Sequence, residues 1–184
     1  MELALTLHPD SQCAAVTRIH VEIARPGPRS LELSYRVTGQ IDGLYLPALT
    51  APARTDDLWR RTCFEAFLQA PGVSGYDEFN LAPSTLWAAY RFTGYRSGGS
   101  DAAVVSAPRI EVNSGPESLM LRARLELEPS SGLPPHGPWR LGLSAVIEEL
   151  SGGKSYWALA HPPGQPDFHH ADCFALEVQA PEGP

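Results

Sequence analysis

The sequence has little cysteine, no basic excess and no long apolar run, and each shortage excludes a class of protein. Its three cysteines, Cys13, Cys63 and Cys173, cannot all pair within the chain and form no short-spaced motif, so we expect reduced thiols rather than a disulfide framework. Only 14 lysines and arginines stand against 21 aspartates and glutamates, a formal net charge of −7, which argues against nucleic acid as a partner. No apolar stretch approaches the roughly 20 residues of a membrane helix, so we expect no membrane partner.

Signals for export and the common catalytic motifs are also missing. The first residues lack the basic segment of a signal peptide, and their apolar run breaks at His8-Pro9-Asp10. We therefore expect a cytoplasmic protein. The sequence contains no G-x-S-x-G, H-E-x-x-H or G-x-G-x-x-G motif and no phosphate-binding P-loop. We therefore expect a protein that is not an enzyme, while its oligomeric state stays open.

Glycine and proline, by contrast, are abundant. The chain has 16 glycines and 18 prolines in 184 residues, about half as many again as average usage. Long helices tolerate this punctuation poorly, whereas short strands joined by turns tolerate it well. Because 43% of the residues are hydrophobic, the chain can also bury a core. We predict one globular domain over residues 1–184.

Alternation of apolar and polar residues predicts the strands. It is clearest over 31–37, 119–127 and 139–147, as expected for strands with one buried and one exposed face. Weaker candidates cover 3–7, 16–23, 63–68, 76–81, 86–92, 109–112, 155–159 and 174–178. Turn residues separate them at 25–28, 70–72, 97–101, 129–138 and 151–154. The spacing predicts an all-β, antiparallel, jelly-roll-like β-sandwich, with one short helix near 55–61 and at most one more.

Three neighbouring segments carry polar side chains that suit a ligand. If their strands pair in register, one sheet face carries Glu65, Glu78, Asn80, Trp87 and Arg91 together, although sequence does not fix register. Carboxylate, amide and guanidinium groups beside aromatic rings suit a polyhydroxylated ligand, because rings stack on sugar C–H faces and polar groups bond the hydroxyls. The alternative is a structural role, as surface glutamates or as a buried Arg–Glu pair.

Residues 161–172 hold three histidines and two aspartates, which raises the question of a metal. His169, His170 and Asp172 are the candidate ligands, but their spacing matches no standard zinc motif. Adjacent histidines in an extended segment point to opposite sides. Calcium stays open, although no EF-hand-like loop is present. The alternative is a proline-stiffened loop whose histidines bond backbone and carboxylates.

Two further catalytic arrangements are weaker. Cys63 paired with a histidine would form a thiol site, but a cysteine within a strand is more often an inert core residue. Glu65 and Glu78 would serve as a glycosidase pair only at a suitable separation, which the sequence does not give.

The chain resembles family 9 carbohydrate-binding modules and the wider DOMON-like group. The resemblance rests on W-x3-C-F-E-A-F-L at 59–68 and Y-x-E-F-N-x2-P-S-x2-W at 76–87, with Y-R-F-x-G-Y at 90–95 and P-D-F-H-H-A-D at 166–172 in support. It covers about residues 5–178, and the whole chain is similar to small stand-alone bacterial DOMON-like proteins. It implies a jelly-roll β-sandwich without catalytic activity.

That resemblance also implies a binding arrangement. Sugar-binding members clamp a saccharide between two tryptophans, aided by a glutamate and an arginine. Trp59 and Glu65 sit at matching positions, Arg91 matches the arginine, and Trp157 is the candidate for the second clamp. We therefore expect a non-catalytic module for a carbohydrate or similar small polar ligand, with no required cofactor.

Three alternatives remain beside that expectation. Some DOMON relatives bind haem through methionine and histidine, but Met120 is the only internal methionine and falls on the polar face of its strand, so haem is disfavoured. The others are a metal-dependent enzyme using residues 161–172 and an interaction domain that pairs through a sheet edge.

Overall fold

A computed structural model of the chain, which describes residues 1–181, is built from strands joined by turns. Its strands are β1 (Glu2–Leu7), β2 (Val16–Gly27), β3 (Ser30–Gly39), β4 (Cys63–Gln69), β5 (Tyr76–Leu81), β6 (Trp87–Phe92), β7 (Ser100–Asp101), β8 (Arg109–Ser114), β9 (Ser118–Glu126), β10 (Trp139–Glu148), β11 (Lys154–Ala158) and β12 (Leu176–Val178). Helical structure within residues 1–181 is confined to short 3₁₀ turns at Ile41–Gly43, Leu58–Arg60, Pro129–Ser131 and Ala171–Cys173. In the same range, no helix has the length and apolarity that crossing a membrane takes.

Every predicted strand forms, and three details differ from prediction. β2 runs on through Pro26 to Gly27, because a register shift after Ala24 lets the strand pass the proline, which has no N–H to give the ladder. The predicted loop at 97–101 contains the short strand β7, which pairs with β6. The predicted helix near 55–61 is only the 3₁₀ turn Leu58–Arg60.

The strands form one strongly curled antiparallel sheet that folds back on itself. Its order is β7-β6-β5-β4-β10-β11-β1-β2-β3-β9-β8, with β12 also paired to β10. β1 joins the two halves, since Glu2–Leu5 pairs with β2 while Thr6 and Leu7 pair with β11. The halves face each other across the core, as in a β-sandwich. The predicted antiparallel, all-β fold is confirmed.

Period-2 alternation fills the space between the two halves. On β3, Leu31, Leu33, Tyr35 and Val37 are all buried, and they lie against the inward residues of β4 and β10. The buried Tyr35 hydroxyl donates a 2.9 Å hydrogen bond to the backbone carbonyl of Glu65 on β4. Tyr35, on β3 in one half of the sheet, therefore holds β4 of the other half in place. The Glu65 side chain lies on the opposite face of β4.

Removing that hydroxyl tests the link between the halves. We expect Tyr35→Phe to lower the free energy of unfolding by about 1 kcal/mol, the net contribution of one internal hydrogen bond. Urea unfolding measures it, with Tyr45→Phe as the control, because Tyr45 is an exposed tyrosine and its loss of a hydroxyl should change stability by less than about 0.5 kcal/mol. Equal stability of the two variants would contradict a structural role for this bond.

Candidate ligand-binding site

A cavity of about 650 Å³ lies on the outer face of the half built from β4, β5, β6, β10 and β11. Strand residues form its floor, and the segments around 57–59, 96 and 165–169 form its rim. Its lining side chains are mostly aromatic or acidic: Asp57, Trp59, Glu65, Glu78, Tyr90, Phe92, Arg96, Val146, Tyr156, Gln165, Pro166, Phe168 and His169. Large aromatic surface beside a few buried polar groups is the usual composition of a small-molecule site.

A second cavity, of about 570 Å³, lies on the outer face of β2, β3, β9 and β8. Its charged side chains bond one another rather than converging on its centre: Arg124 contacts Glu32 at 3.0 Å and Glu126 at 2.8 Å. These side chains are exposed to solvent, where such pairs are weak. The cavity over β4 and β5 is therefore the better candidate.

Strand register explains why the acidic residues meet. Glu65 on β4 stands opposite Asn80 on β5 and Ser144 on β10. Glu78 stands two residues along β5 and opposite Tyr90 on β6. Paired residues share a face of a sheet, so the predicted grouping of Glu65, Glu78 and Asn80 occurs.

The same register removes two predicted residues from this face. Trp87 pairs with Leu81 and Arg91 pairs with Asp77, which places both on the core side of β6. Trp87 is buried in the core, and Arg91 donates to both Asp77 oxygens at 2.7 and 2.9 Å. The prediction that they share a face with Glu65 is wrong, because Glu78 pairs with Tyr90 and so the even-numbered residues of β6 face the cavity.

The predicted pair of tryptophans also separates. Trp59 is 49% exposed and lines the cavity. Trp157 is only 5% exposed and belongs to the main core, with its Nε1 donating to Ser155 Oγ at 3.0 Å. Trp157 does not line the cavity; its neighbour Tyr156 does, since successive strand residues point to opposite faces. The convergence of Trp59, Glu65, Arg91 and Trp157 is therefore limited to Trp59 and Glu65.

Glu65 and Glu78 are the most deeply buried polar groups of the cavity. Glu65 is 3% exposed and Glu78 is 5% exposed. Ser144 Oγ donates to Glu65 Oε2 at 3.3 Å, and Asn80 Nδ2 donates to Glu78 Oε1 at 2.6 Å. Burial raises the pKa of both carboxyls, and the charge of Glu78 raises the pKa of Glu65 further. The floor of the cavity thus holds two carboxyl groups that resist ionising together.

The remaining polar groups around the pair are arranged in fixed contacts. His169 Nδ1 lies 2.8 Å from the Tyr76 hydroxyl, and His169 Nε2 lies 3.7 Å from Glu78 Oε2. Burial, with the nearby charge of Arg96, lowers the pKa of His169 to about 4, so the ring is neutral at pH 7. The guanidinium of Arg96 donates to Asp167 Oδ1 at 2.8 Å.

The buried acids give stability an unusual pH dependence. A carboxyl whose folded pKa lies above its ordinary 4.5 favours the folded state below pH 4.5, and that contribution is lost as pH rises through the folded pKa. We therefore expect Glu65→Gln to unfold with a free energy roughly 1–3 kcal/mol higher than wild type at pH 8, the scale of one undercompensated buried group. The gain should shrink as pH falls towards 4.5.

Urea unfolding at pH 5 and pH 8 measures this difference. Exposed Glu111 on β8 supplies the control, because Glu111→Gln should change stability by less than about 0.5 kcal/mol at either pH. His169 has the opposite pH dependence. Because its folded pKa is lowered, it reduces the free energy of unfolding only as pH falls below its ordinary pKa of 6.5. A Glu65→Gln variant that is less stable than wild type at pH 8 would contradict this reading of the site.

The histidines of residues 161–172 take separate positions. His161 Nε2 lies 2.8 Å from the Thr6 carbonyl, and His170 Nδ1 lies 3.5 Å from Asp172 at the surface, while His169 faces the cavity. Over residues 1–181, no group of three or more His, Cys, Asp or Glu side chains has an arrangement that holds a metal ion. His169, one of the three candidate metal ligands, instead lines the same cavity as Glu65.

All three cysteines are free thiols. Cys63 is buried, with its Sγ 3.5 Å from Asn80 Oδ1. Burial, together with the charge of Glu65, raises the pKa of this thiol well above its usual range. Because the thiolate is the reactive form, Cys63 is a structural residue. It lies beneath Glu65 and Glu78, which we call the acid pair.

Sequence reasoning missed Arg96, Tyr90, Phe92, Tyr156 and Phe168. Tyr90 and Phe92 alternate with the predicted Arg91, so only the register of β5 with β6 separates them. Tyr156 stands one residue from the predicted Trp157, and the pairing of Val146 with Tyr156 decides which faces out. Arg96 and Phe168 come from turns, where periodicity gives no signal. The sequence signal that points to these residues is the concentration of aromatic side chains in segments 90–95 and 156–168.

No family model and no curated protein matches the sequence. Solved structures do match its fold. A putative carbohydrate-binding protein from Bacteroides uniformis ATCC 8492 superposes with a TM-score of 0.70 at 15% identity, covering 94% of this chain and 83% of that chain. A family 9 carbohydrate-binding module from Caldicellulosiruptor kristjanssonii, solved in complex with glucose, gives a TM-score of 0.55 at 13% identity, covering 95% and 81%. The predicted relation to family 9 modules is thus supported as a shared fold.

Proposed function

We propose that the chain is a non-catalytic binding module that holds a carbohydrate or similar small polar ligand in the cavity over β4 and β5. One observation carries the proposal: exposed Trp59 stands at the rim of a cavity whose floor holds the buried carboxyls of Glu65 and Glu78. An exposed indole beside buried hydrogen-bonding groups suits a ligand with both C–H faces and hydroxyls.

The walls of the cavity suit a flat, polar ring. Trp59 provides a face for stacking, while Tyr156 and Phe168 provide aromatic surface elsewhere on the lining. Tyr156 and Phe168 therefore take the place that the resemblance gave to Trp157. Stacked or edge contacts of aromatic rings are favourable beyond the area that they bury.

The polar groups suit hydroxyls. A sugar hydroxyl both donates and accepts hydrogen bonds. An ionised carboxyl group accepts them, and a protonated one also donates. Glu65, Glu78, Arg96 and Gln165 all line the cavity, which gives several partners to one ring. Asn80 supports the site indirectly, because its amide fixes Glu78.

The two structures of similar fold support the proposal, since one is described as a putative carbohydrate-binding protein and the other holds glucose. We further infer that residues 1–184 form one DOMON-like domain related to family 9 modules; its last three residues lie outside the described range. A bacterial origin, a cytoplasmic location and the absence of a cofactor stay predictions from the sequence.

Intrinsic fluorescence tests the proposal directly. Of the four tryptophans, Trp87, Trp139 and Trp157 are buried and only Trp59 is exposed, so acrylamide quenching reports chiefly on Trp59. We expect glucose, cellobiose or xylobiose at millimolar concentration to blue-shift the emission and to reduce quenching. Trp59→Phe, which keeps a smaller stacking ring, should still bind, more weakly than wild type by calorimetry, while losing the optical signal. A panel of saccharides that leaves both fluorescence and calorimetry unchanged would overturn the proposal.

A further inference from the structure

We propose that the preferred ligand of this cavity is an amino sugar, bound with its protonated amine between the carboxyls of Glu65 and Glu78. This inference rests on the proposed function and narrows its ligand class from neutral saccharides to saccharides carrying a primary ammonium group. It is carried by three features of the cavity: two carboxyl oxygens left open, positive groups already engaged elsewhere, and an aromatic lining.

Each glutamate has one engaged oxygen and one open oxygen. Ser144 bonds Glu65 Oε2, and Asn80 bonds Glu78 Oε1. Within residues 1–181, Glu65 Oε1 and Glu78 Oε2 accept no hydrogen bond, yet neither is among the buried atoms sealed from solvent without a partner. Because both side chains line the cavity, the two open oxygens face the space that a ligand enters.

Positive groups near the pair are committed elsewhere or uncharged. Arg96 is bound to Asp167, which also accepts from the Tyr95 hydroxyl. His169 lies 3.7 Å from Glu78 Oε2, but its pKa is lowered to about 4, so it brings no charge at neutral pH. The charge of Arg96 lowers the pKa of both carboxyls, but burial outweighs it, and the guanidinium donates to Asp167 rather than to either glutamate. A buried carboxylate without a bonded cation is costly, and a ligand ammonium would supply that bond.

The lining of the cavity also favours a cation. Trp59, Tyr90, Phe92, Tyr156 and Phe168 bring five aromatic rings to its walls. Aromatic faces attract ammonium groups through the ring quadrupole, most strongly where water is excluded. A neutral sugar uses the stacking surface alone, whereas an amino sugar uses the rings and the acid pair together.

Binding of a cation should expel protons. Burial raises the pKa of both carboxyls, and a bound ammonium favours their ionised form, so a carboxyl that is protonated in the free protein releases its proton on binding. The titratable or charged groups that act on the pair are Tyr35, Cys63, Tyr76, Tyr90, Arg96 and His169. The three tyrosines and the thiol have raised pKa values, which leaves the glutamates as the source of released protons.

Calorimetry at pH 6.5 with glucosamine, glucose and N-acetylglucosamine tests the inference. At that pH an amine with a pKa near that of an α-amino group, about 7.8, is protonated. We expect glucosamine to bind at least tenfold more tightly than glucose, and N-acetylglucosamine, which keeps the ring but lacks the charge, to bind no better than glucose. Repeating the titration in two buffers of different ionisation enthalpy should show proton release with glucosamine and none with glucose.

A matched variant assigns the effect to the acid pair. Glu78→Gln keeps the side-chain shape and should reduce the preference for glucosamine to less than threefold, whereas Glu111→Gln, on exposed β8, should keep it. Thermal unfolding of each variant verifies that it folds. Equal affinity for glucosamine and glucose in the wild-type protein would overturn the inference, as would a preference that survives in Glu78→Gln.

The same titrations separate this inference from the proposed function. Binding of glucose with no gain for glucosamine overturns the amino-sugar inference and leaves the saccharide module standing. Binding of methylammonium as tightly as glucosamine, with no binding of any neutral saccharide, overturns the saccharide module and shows a simple cation site. Absence of binding by every probe overturns both.

Discussion

Trp59→Ala is expected to weaken saccharide binding at least tenfold while changing the free energy of unfolding by less than about 0.5 kcal/mol. The indole is half exposed, so its truncation removes little from the core, and surface substitutions of this kind are nearly neutral for stability. In a binding site, a tryptophan that anchors the ligand commonly contributes 2 kcal/mol or more, and 1.4 kcal/mol is already a tenfold change in affinity.

Tyr45→Ala supplies the matched control for this result. Tyr45 is also a large exposed aromatic residue, stacked against Arg61, but it does not line the cavity. Calorimetry should give wild-type affinity for Tyr45→Ala and weakened affinity for Trp59→Ala. Affinity that is unchanged in Trp59→Ala would remove the stacking wall from the proposed site.

Trp157→Ala is expected to act on the fold rather than on the ligand. Trp157 is 5% exposed and packs in the main core, where truncation of a large aromatic side chain costs about 3–5 kcal/mol. Urea unfolding measures the loss. Trp157→Phe, which keeps most of the volume, should lose less and remain folded, so that its ligand affinity can be measured.

The two tryptophan variants together separate the two arrangements of the site. If Trp157 faced the ligand as the resemblance implied, Trp157→Phe would weaken binding with little effect on stability. With Tyr156 at the cavity instead, Trp157→Phe should bind a saccharide with an affinity within about twofold of wild type. A stable Trp157→Ala variant that has lost binding would contradict the orientation of β11.

Most of the fold was predictable because buried strands carry their own signal. Leu31 to Val37 alternate so regularly that the inward face of β3 follows from the residues alone. β7 was not predictable, since two exposed residues, Ser100 and Asp101, have no period. The end of β2 was mistaken because Pro26 usually breaks a strand, and a register shift accommodates it here.

The site was predictable only in part, because a site depends on register and on turns. Glu65, Glu78 and Asn80 were grouped correctly because Glu65 pairs with Asn80, which is the register that the grouping assumed. Arg91 was assigned to the wrong face of β6, because Glu78 pairs with its neighbour Tyr90. A one-residue change of register exchanges the two faces of a strand. Arg96 lies in a turn with a positive φ of 49°, a position that no strand pattern indicates.

The acid pair also relates stability to function. Two carboxyls buried side by side cost the fold some stability above their raised pKa values. Groups that weaken a fold are typical of binding and catalytic sites. The two buried carboxyls therefore distinguish the cavity from the apolar core beneath it, in addition to its concave shape.

The most direct measurement is a crystal structure of the protein grown with glucosamine or glucose, whichever binds more tightly in calorimetry. We predict the sugar ring in the cavity over β4 and β5, stacked on Trp59, with its polar groups bonded to Glu65 and Glu78. A ring found on the outer face of β2, β3 and β9, or a cavity without sugar at a concentration that saturates binding in solution, would contradict the proposed site.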